Sequence, residues 1–129
     1  MKIHHIGYLV KDINKSIDSF SKLGFFLCGE ITHDELRKSD ICFLKNDNLL
    51  IELVSPFSKD SIVYGLLKTY KNAPYHICYS SNNIDLDCEY LVNNGYMIIQ
   101  EKDIAPAIEN KFVVFLFNPK IGIIELVED

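Results

Sequence analysis

Two histidines and two glutamates interrupt apolar segments of this chain. His5 lies in MKIHHIGYLV and His76 in YHICY, while Glu52 stands within LLIELV and Glu125 within IGIIELV. A carboxylate in an apolar strand is costly unless it is paired or binds a metal. Two imidazoles and two carboxylates, without a thiolate, suit one divalent ion such as Zn, Ni, Co, Mn or Fe. The alternative is two edge strands whose glutamates face water.

An internal repeat favours the metal interpretation. Residues 76–96 align with residues 5–25 without a gap and share five identities, beginning with His76 on His5 and ending with Gly95 on Gly24. The tetrapeptide IELV also occurs twice, at 51–54 and 124–127. Because both matches repeat at nearly the same offset, we predict a tandem duplication. If the two halves pack about a pseudo-twofold axis, the four side chains can converge.

The elements that must position these residues follow from the same repeat. Each half begins with an apolar strand that carries a His and continues into an amphipathic helix. In the first helix Asp12 is placed to cap the start and Gly24 marks the end, and the second helix ends at Gly95. Three shorter strands follow in each half, at about 25–31, 40–45 and 49–54 in the first and at about 96–101, 112–117 and 122–127 in the second. We therefore predict an α+β fold of two βαβββ modules. The chain would be a single domain with module one at about 1–54, a connector at about 55–74 and module two at about 75–129.

The repeat also separates the two adjacent histidines. His5 aligns with His76, whereas His4 aligns with Tyr75. Neighbouring residues on a strand point to opposite faces. We therefore expect His5 to face the site and His4 to face away from it, at a surface or dimer contact.

Composition excludes several classes of partner. The net charge is -5, with the basic residues scattered, which argues against a nucleic-acid partner and an anionic membrane. No apolar run approaches the roughly 20 residues of a membrane span, and the N-terminus lacks the features of a signal peptide. The four cysteines have no metal-finger spacing and are expected to be reduced, buried thiols. We expect a cytoplasmic protein that acts on a small-molecule substrate.

In their order and spacing, HIGYLV, HIC and the two IELV segments resemble the vicinal oxygen chelate superfamily. This superfamily contains glyoxalases, methylmalonyl-CoA epimerases, extradiol dioxygenases and drug-resistance binding proteins. The resemblance covers nearly the whole chain and is greatest to the branch of the epimerases and glyoxalase I. It implies a cup-shaped mixed sheet, a homodimer, and metal ligation by residues at four matching positions, which are His5, Glu52, His76 and Glu125.

The resemblance also implies a reaction. The usual chemistry of the superfamily is proton abstraction next to a carbonyl or thioester, with a carboxylate as base. Glu125 is our candidate for the base, and Glu52 is its symmetric partner. In the epimerase-like branch a further glutamate, on the loop before the third strand, acts as a base. Glu35, 17 residues before Glu52, is the candidate for that role. The alternative is that Glu35 is a solvated loop residue without a catalytic role.

The sequence leaves other functions open. A lactoylglutathione lyase of the glyoxalase I type would use the same four ligands. A ring-cleaving dioxygenase needs two His and one carboxylate, so a fourth ligand at Glu52 argues against it. A metal-free binding or resistance protein would have lost ligands that this chain retains. The loop from Pro106 to Asn110 differs from the epimerase pattern, which puts a coenzyme A thioester in doubt as the substrate.

Overall fold

A computed structural model describes residues 1–129 and divides them into two compact units. The N-terminal unit comprises Ile6–Pro74, and the C-terminal unit comprises Met1–His5 together with Tyr75–Asp129. The first strand, β1 (Lys2–Leu9), contributes to both. No helix in the chain combines the length and the apolar character that crossing a bilayer requires.

The N-terminal unit is built from strands and two helices. Besides residues 6–9 of β1, its elements are α1 (Ile13–Ser21), β2 (Phe26–Asp34), β3 (Ser39–Asn46), β4 (Leu49–Pro56) and α2 (Ile62–Tyr70). The strands lie in the order β2-β3-β4-β1. β1 and β4 run parallel, with Gly7 opposite Glu52, while the other neighbours are antiparallel.

The C-terminal unit repeats this arrangement. Its elements are β5 (Ala73–Ser81, of which Tyr75 onwards belongs to this unit), α3 (Ile84–Val92), β6 (Met97–Ala105), a short 3-10 turn at Pro106–Ile108, β7 (Lys111–Asn118) and β8 (Gly122–Glu128). The strands lie in the order β6-β7-β8-β5. β5 and β8 run parallel, and Cys78 lies opposite Glu125 as Gly7 lies opposite Glu52.

The two helices that follow β1 and β5 begin and end in the same way. The Asp12 carboxylate accepts a hydrogen bond from the Lys15 N–H at 3.0 Å, and the Asn83 amide oxygen accepts one from the Leu86 N–H at 3.1 Å. Such caps satisfy N–H groups that a helix leaves without partners at its start. After each helix the chain turns at a glycine with positive φ, Gly24 or Gly95, where other residues would be strained.

Each unit buries its own apolar core between helix and sheet. The core of the N-terminal unit consists of Val10, Ile13, Cys42, Leu44, Ile51 and Leu53. That of the C-terminal unit consists of Ile84, Cys88, Leu91, Val114, Leu116, Ile124 and Leu126. Tyr8 packs on the first core and Tyr79 on the second, at equivalent positions of the repeat.

The predicted α+β fold with a twofold βαβββ repeat is confirmed. β2 extends to Asp34, past the predicted end near residue 31, because the pairing with β3 resumes after a register shift between Cys28 and Thr32, where Gly29 has a φ of +72°. β6 likewise extends past the predicted 101 to Ala105, with register shifts between Ile98 and Asp103. The organisation as a single domain stays a prediction.

Candidate metal centre

Three of the four predicted ligands meet in the C-terminal unit. His5 lies on β1, His76 on β5 and Glu125 on β8. Their exposed fractions are 1%, 4% and 2%, so all three are buried. The alternative in which Glu125 faces water on an edge strand is therefore wrong.

The three ligand atoms form a nearly equilateral triangle. His5 Nε2 lies 3.2 Å from Glu125 Oε2, His76 Nε2 lies 3.0 Å from the same oxygen, and the two nitrogens are 3.3 Å apart. With metal–ligand bonds of about 2.0–2.2 Å, neighbouring ligands stand roughly 3.0 Å apart in an octahedral site and roughly 3.4 Å apart in a tetrahedral one. The triangle has the edges of one coordination face.

The carboxylate oxygen at the shared corner supports the same interpretation. Glu125 Oε2 is buried, and no hydrogen bond of good geometry satisfies it although two ring nitrogens lie within 3.2 Å. A buried acceptor without a well-formed hydrogen bond lowers the free energy of unfolding by about 1–3 kcal/mol, and a cation shared by the three ligand atoms would offset this loss. The donor set fits a divalent metal.

The two neighbouring histidines keep the Glu125 carboxyl ionised. Burial alone would raise the pKa of the Glu125 carboxyl, but the adjacent His5 and His76 outweigh burial and hold this pKa below its ordinary value. An ionised carboxylate is the form that binds a cation.

An aromatic ring and a further histidine contact the two histidines of the triangle. The Phe115 ring, which is opposite Glu125 in the β7–β8 register, meets the His76 ring edge to face, with centroids 5.3 Å apart. On the other side His4 Nδ1 lies 2.8 Å from His5 Nδ1. Strand alternation did not predict the His4 contact, because it places neighbouring side chains on opposite faces. The Nδ1 atom of an imidazole is close to the backbone, so the two rings can still turn their Nδ1 atoms towards each other.

Glu52 belongs to the N-terminal unit and is buried there, with 5% of its surface exposed. It lies on β4 opposite Gly7 of β1 on one side and Phe43 of β3 on the other. Burial and the charge of Glu52 together raise the pKa of the Cys42 thiol to about 12. The edge-strand alternative is therefore wrong for Glu52 too, and its position is equivalent to that of Glu125 in the other unit.

Comparison with known proteins identifies the family. Residues 4–115 match the family described as the Glyoxalase/Bleomycin resistance protein/Dioxygenase superfamily. The chain belongs to this superfamily. The predicted membership of the superfamily is thereby confirmed, while no curated protein matches this glyoxalase-superfamily chain.

Solved structures share the fold of this glyoxalase-superfamily protein. A hypothetical protein from Bacillus halodurans is 23% identical, with a TM-score of 0.86, 99% of this chain covered and 94% of that one. The methylmalonyl-CoA epimerase of Mycobacterium tuberculosis is 22% identical, with a TM-score of 0.84 and coverages of 98% and 87%. That of Streptomyces coelicolor, in complex with 2-nitronate-propionyl-CoA, is 20% identical, with a TM-score of 0.86 and coverages of 100% and 94%.

Glu35 is an exposed residue of the N-terminal unit. It occupies the exposed turn between β2 and β3, where its carboxylate is 3.1 Å from His33 Nε2. His33 Nδ1 also lies 2.6 Å from Asp40, and its ring stacks on Phe57 with centroids 4.1 Å apart. In this structure Glu35 has the surroundings of a solvated turn residue that is paired with a histidine. Its role as a base stays a prediction.

The cysteines form no disulfide. Cys42, Cys78 and Cys88 are buried as predicted, whereas Cys28 is only half-buried. Burial raises the pKa of Cys88 as well, so it is no candidate nucleophile.

Proposed function

We propose that this chain is a divalent-metal-dependent isomerase that removes a proton from the carbon next to a carbonyl or thioester, as a methylmalonyl-CoA epimerase does. The observation that carries the proposal is the buried triangle of His5 Nε2, His76 Nε2 and Glu125 Oε2, with edges of 3.0–3.3 Å. The glyoxalase-superfamily match and the epimerases among the solved structures with this fold support the reaction class.

Glu52 is proposed as the fourth ligand. It lies opposite Gly7 on β1, two residues after His5, as Glu125 lies opposite Cys78 on β5, two residues after His76. Residues two apart on a strand share a face, and so do paired residues on neighbouring strands. We therefore expect Glu52 to share the face of β1 that carries His5.

Each residue then has a defined task. His5 and His76 present neutral nitrogens, and Glu125 and Glu52 present carboxylate oxygens. When bound, the divalent ion supplies Lewis-acid stabilisation of the negative charge that develops on the substrate oxygen. A Glu125 carboxylate oxygen accepts the proton from the substrate carbon. Glu52, when it carries a proton taken up from solvent, gives that proton to the other face of the carbon, and both carboxyls return to their starting states by proton exchange with solvent. The Phe115 ring packs perpendicular to the His76 ring.

Two measurements test the proposal. Metal content by mass spectrometry is expected to be near one divalent ion per chain, with the ion lost in His5→Ala and Glu125→Gln. The matched control is His33→Asn, which alters an exposed histidine of the other unit and should retain the ion. Deuterium exchange from D2O into methylmalonyl-CoA, followed by mass spectrometry, reports proton abstraction and should depend on the ion.

Other outcomes assign other functions. Isomerisation of a glutathione hemithioacetal without exchange into the thioester would identify a glyoxalase-type lyase. If neither wild type nor control takes up Zn, Ni, Co or Mn, the metal-dependent reaction is excluded and a metal-free binding protein is favoured.

We also propose that the protein is a cytoplasmic homodimer. The four free thiols support a reducing compartment. Sedimentation at micromolar concentration should give about twice the chain mass of 14.8 kDa, and a value equal to the chain mass would contradict the dimer.

A further inference from the structure

His4 contacts a proposed ligand on the side away from the metal-binding atom. Its Nδ1 lies 2.8 Å from His5 Nδ1, and the two rings meet edge to face with centroids 5.1 Å apart. His5 is buried, whereas His4 is half-buried on the same strand. The Nδ1 atom of His5 is thus in hydrogen-bond contact with a side chain that strand alternation would place on the opposite face.

A separation of 2.8 Å between two ring nitrogens requires one proton between them. A neutral imidazole carries a single N–H, so one Nδ1 donates and the other accepts. Which of the two Nδ1 atoms donates depends on whether the other nitrogen of the His5 ring, Nε2, carries a proton, and therefore on the neighbours of Nε2. There Nε2 faces His76 Nε2 and Glu125 Oε2, the other two corners of the triangle.

We propose that His4 is a positioning residue whose Nδ1 accepts a hydrogen bond from the Nδ1–H of His5 and so holds His5 in the tautomer that presents its Nε2 lone pair to the metal. This inference rests on the proposed metal site, because a ligand role for His5 requires its Nε2 to be without a proton. Partners of this kind around a ligating histidine typically contribute about 10- to 100-fold in metal affinity.

A competing role for His4 follows from a second group of atoms. The ligand atoms of His4, His5 and Cys78 lie within 4.8 Å of one another. Were they to bind an ion through His5 Nδ1, that nitrogen could not carry the proton, and His5 would bridge two metals. The two roles differ in the number of ions that each chain binds and in the tautomer of His5.

The experiment uses the full chain labelled with 15N-histidine, whose four histidines can be assigned from single variants. Long-range 1H–15N correlation spectra of the metal-free protein report the tautomer of His5, and competition with a chromophoric chelator gives the zinc affinity. His4→Asn keeps an acceptor oxygen near the position of Nδ1, whereas His4→Leu removes it. His33→Leu is the control for loss of a histidine, and circular dichroism on heating verifies that each variant is folded.

The proposal expects His5 to carry its proton on Nδ1 in the wild type and in His4→Asn. It expects zinc affinity to fall 10- to 100-fold in folded His4→Leu, with His4→Asn within a few-fold of wild type. Unchanged affinity in His4→Leu, or a His5 proton on Nε2 in the wild type, would overturn it. Two zinc ions per chain, with one lost in both His4 variants, would make His4 a ligand instead. If the wild type binds no zinc, the proposed function fails, and the tautomer spectra still decide whether His4 orients His5.

Discussion

At the scale of single residues, the histidines of this chain have different surroundings. His5 and His76 are buried beside the Glu125 carboxylate, whereas His33 is exposed between the carboxylates of Glu35 and Asp40. A histidine beside carboxylates gains proton affinity, and its effect on stability then depends on pH. His33 offers a test of this that is independent of metal.

We predict that His33 stabilises the fold at acidic pH. A hydrogen bond to Asp40, together with the charges of Asp40 and Glu35, raises its pKa above the ordinary 6.5. Because the pKa is raised by folding, the stabilisation is complete below pH 6.5 and is lost as the pH rises through the folded value. NMR titration of the ring should show the raised pKa and a lower one in Asp40→Asn.

The complementary measurement is thermal stability against pH. The melting temperature of His33→Asn should differ most from that of the wild type below pH 6.5 and converge with it at higher pH. A difference that grows with rising pH would contradict the ion pairs seen in the structure.

The four thiols are predicted to differ in reactivity. Cys28 is half-buried, whereas the other three are buried and burial raises the pKa of Cys42 to about 12. The thiolate is the reactive form, so at pH 8 one thiol should react rapidly with a disulfide reagent and the rest only on unfolding. Cys28→Ser should abolish the fast phase, while Cys88→Ser should leave it intact. A fast phase that survives Cys28→Ser would show that a buried thiol is accessible.

At the scale of elements, helix starts are set by single side chains. We predict that Asp12→Ala, which removes the acceptor for the Lys15 N–H, lowers the free energy of unfolding by about 1 kcal/mol. Asp12→Asn keeps an acceptor and should cost much less. Urea denaturation measures both, and Asp18→Ala, on the exposed surface of the same helix, is the control. Equal losses from Ala and Asn would show that capping does not explain the effect.

The elements were largely predictable from sequence, and the reasons are local. Apolar periodicity located the helix after His5, and Asp12 and Gly24 marked its ends. The extension of β2 was not predictable, since Thr32 to Asp34 are polar and join the strand only through a bulge. The repeat predicted that His5, His76 and Glu125 would act together. It could not predict the His4 contact, which depends on side-chain rotation rather than on strand alternation.

At the scale of the whole molecule, the proposed ion should couple binding to folding. A ligand that binds only the native state at 100 times its Kd adds about 2.7 kcal/mol to the free energy of unfolding. For a chain of 129 residues this corresponds to a rise in Tm of roughly 5–15 °C. Calorimetry with added Zn, Co, Ni or Mn measures the rise, which should vanish in Glu125→Gln and persist in His33→Asn. A rise of equal size in both variants would mean that the ion binds elsewhere.

The C-terminal unit takes Met1–His5 from the far end of the chain, and with it one corner of the triangle. The second repeat on its own has one histidine and one glutamate of this cluster, His76 and Glu125. A half-length ancestor encoding a single repeat could not have assembled all three corners within one polypeptide. Such an ancestor would have had to assemble the cluster between two copies of itself, and the predicted duplication would have made that association intramolecular.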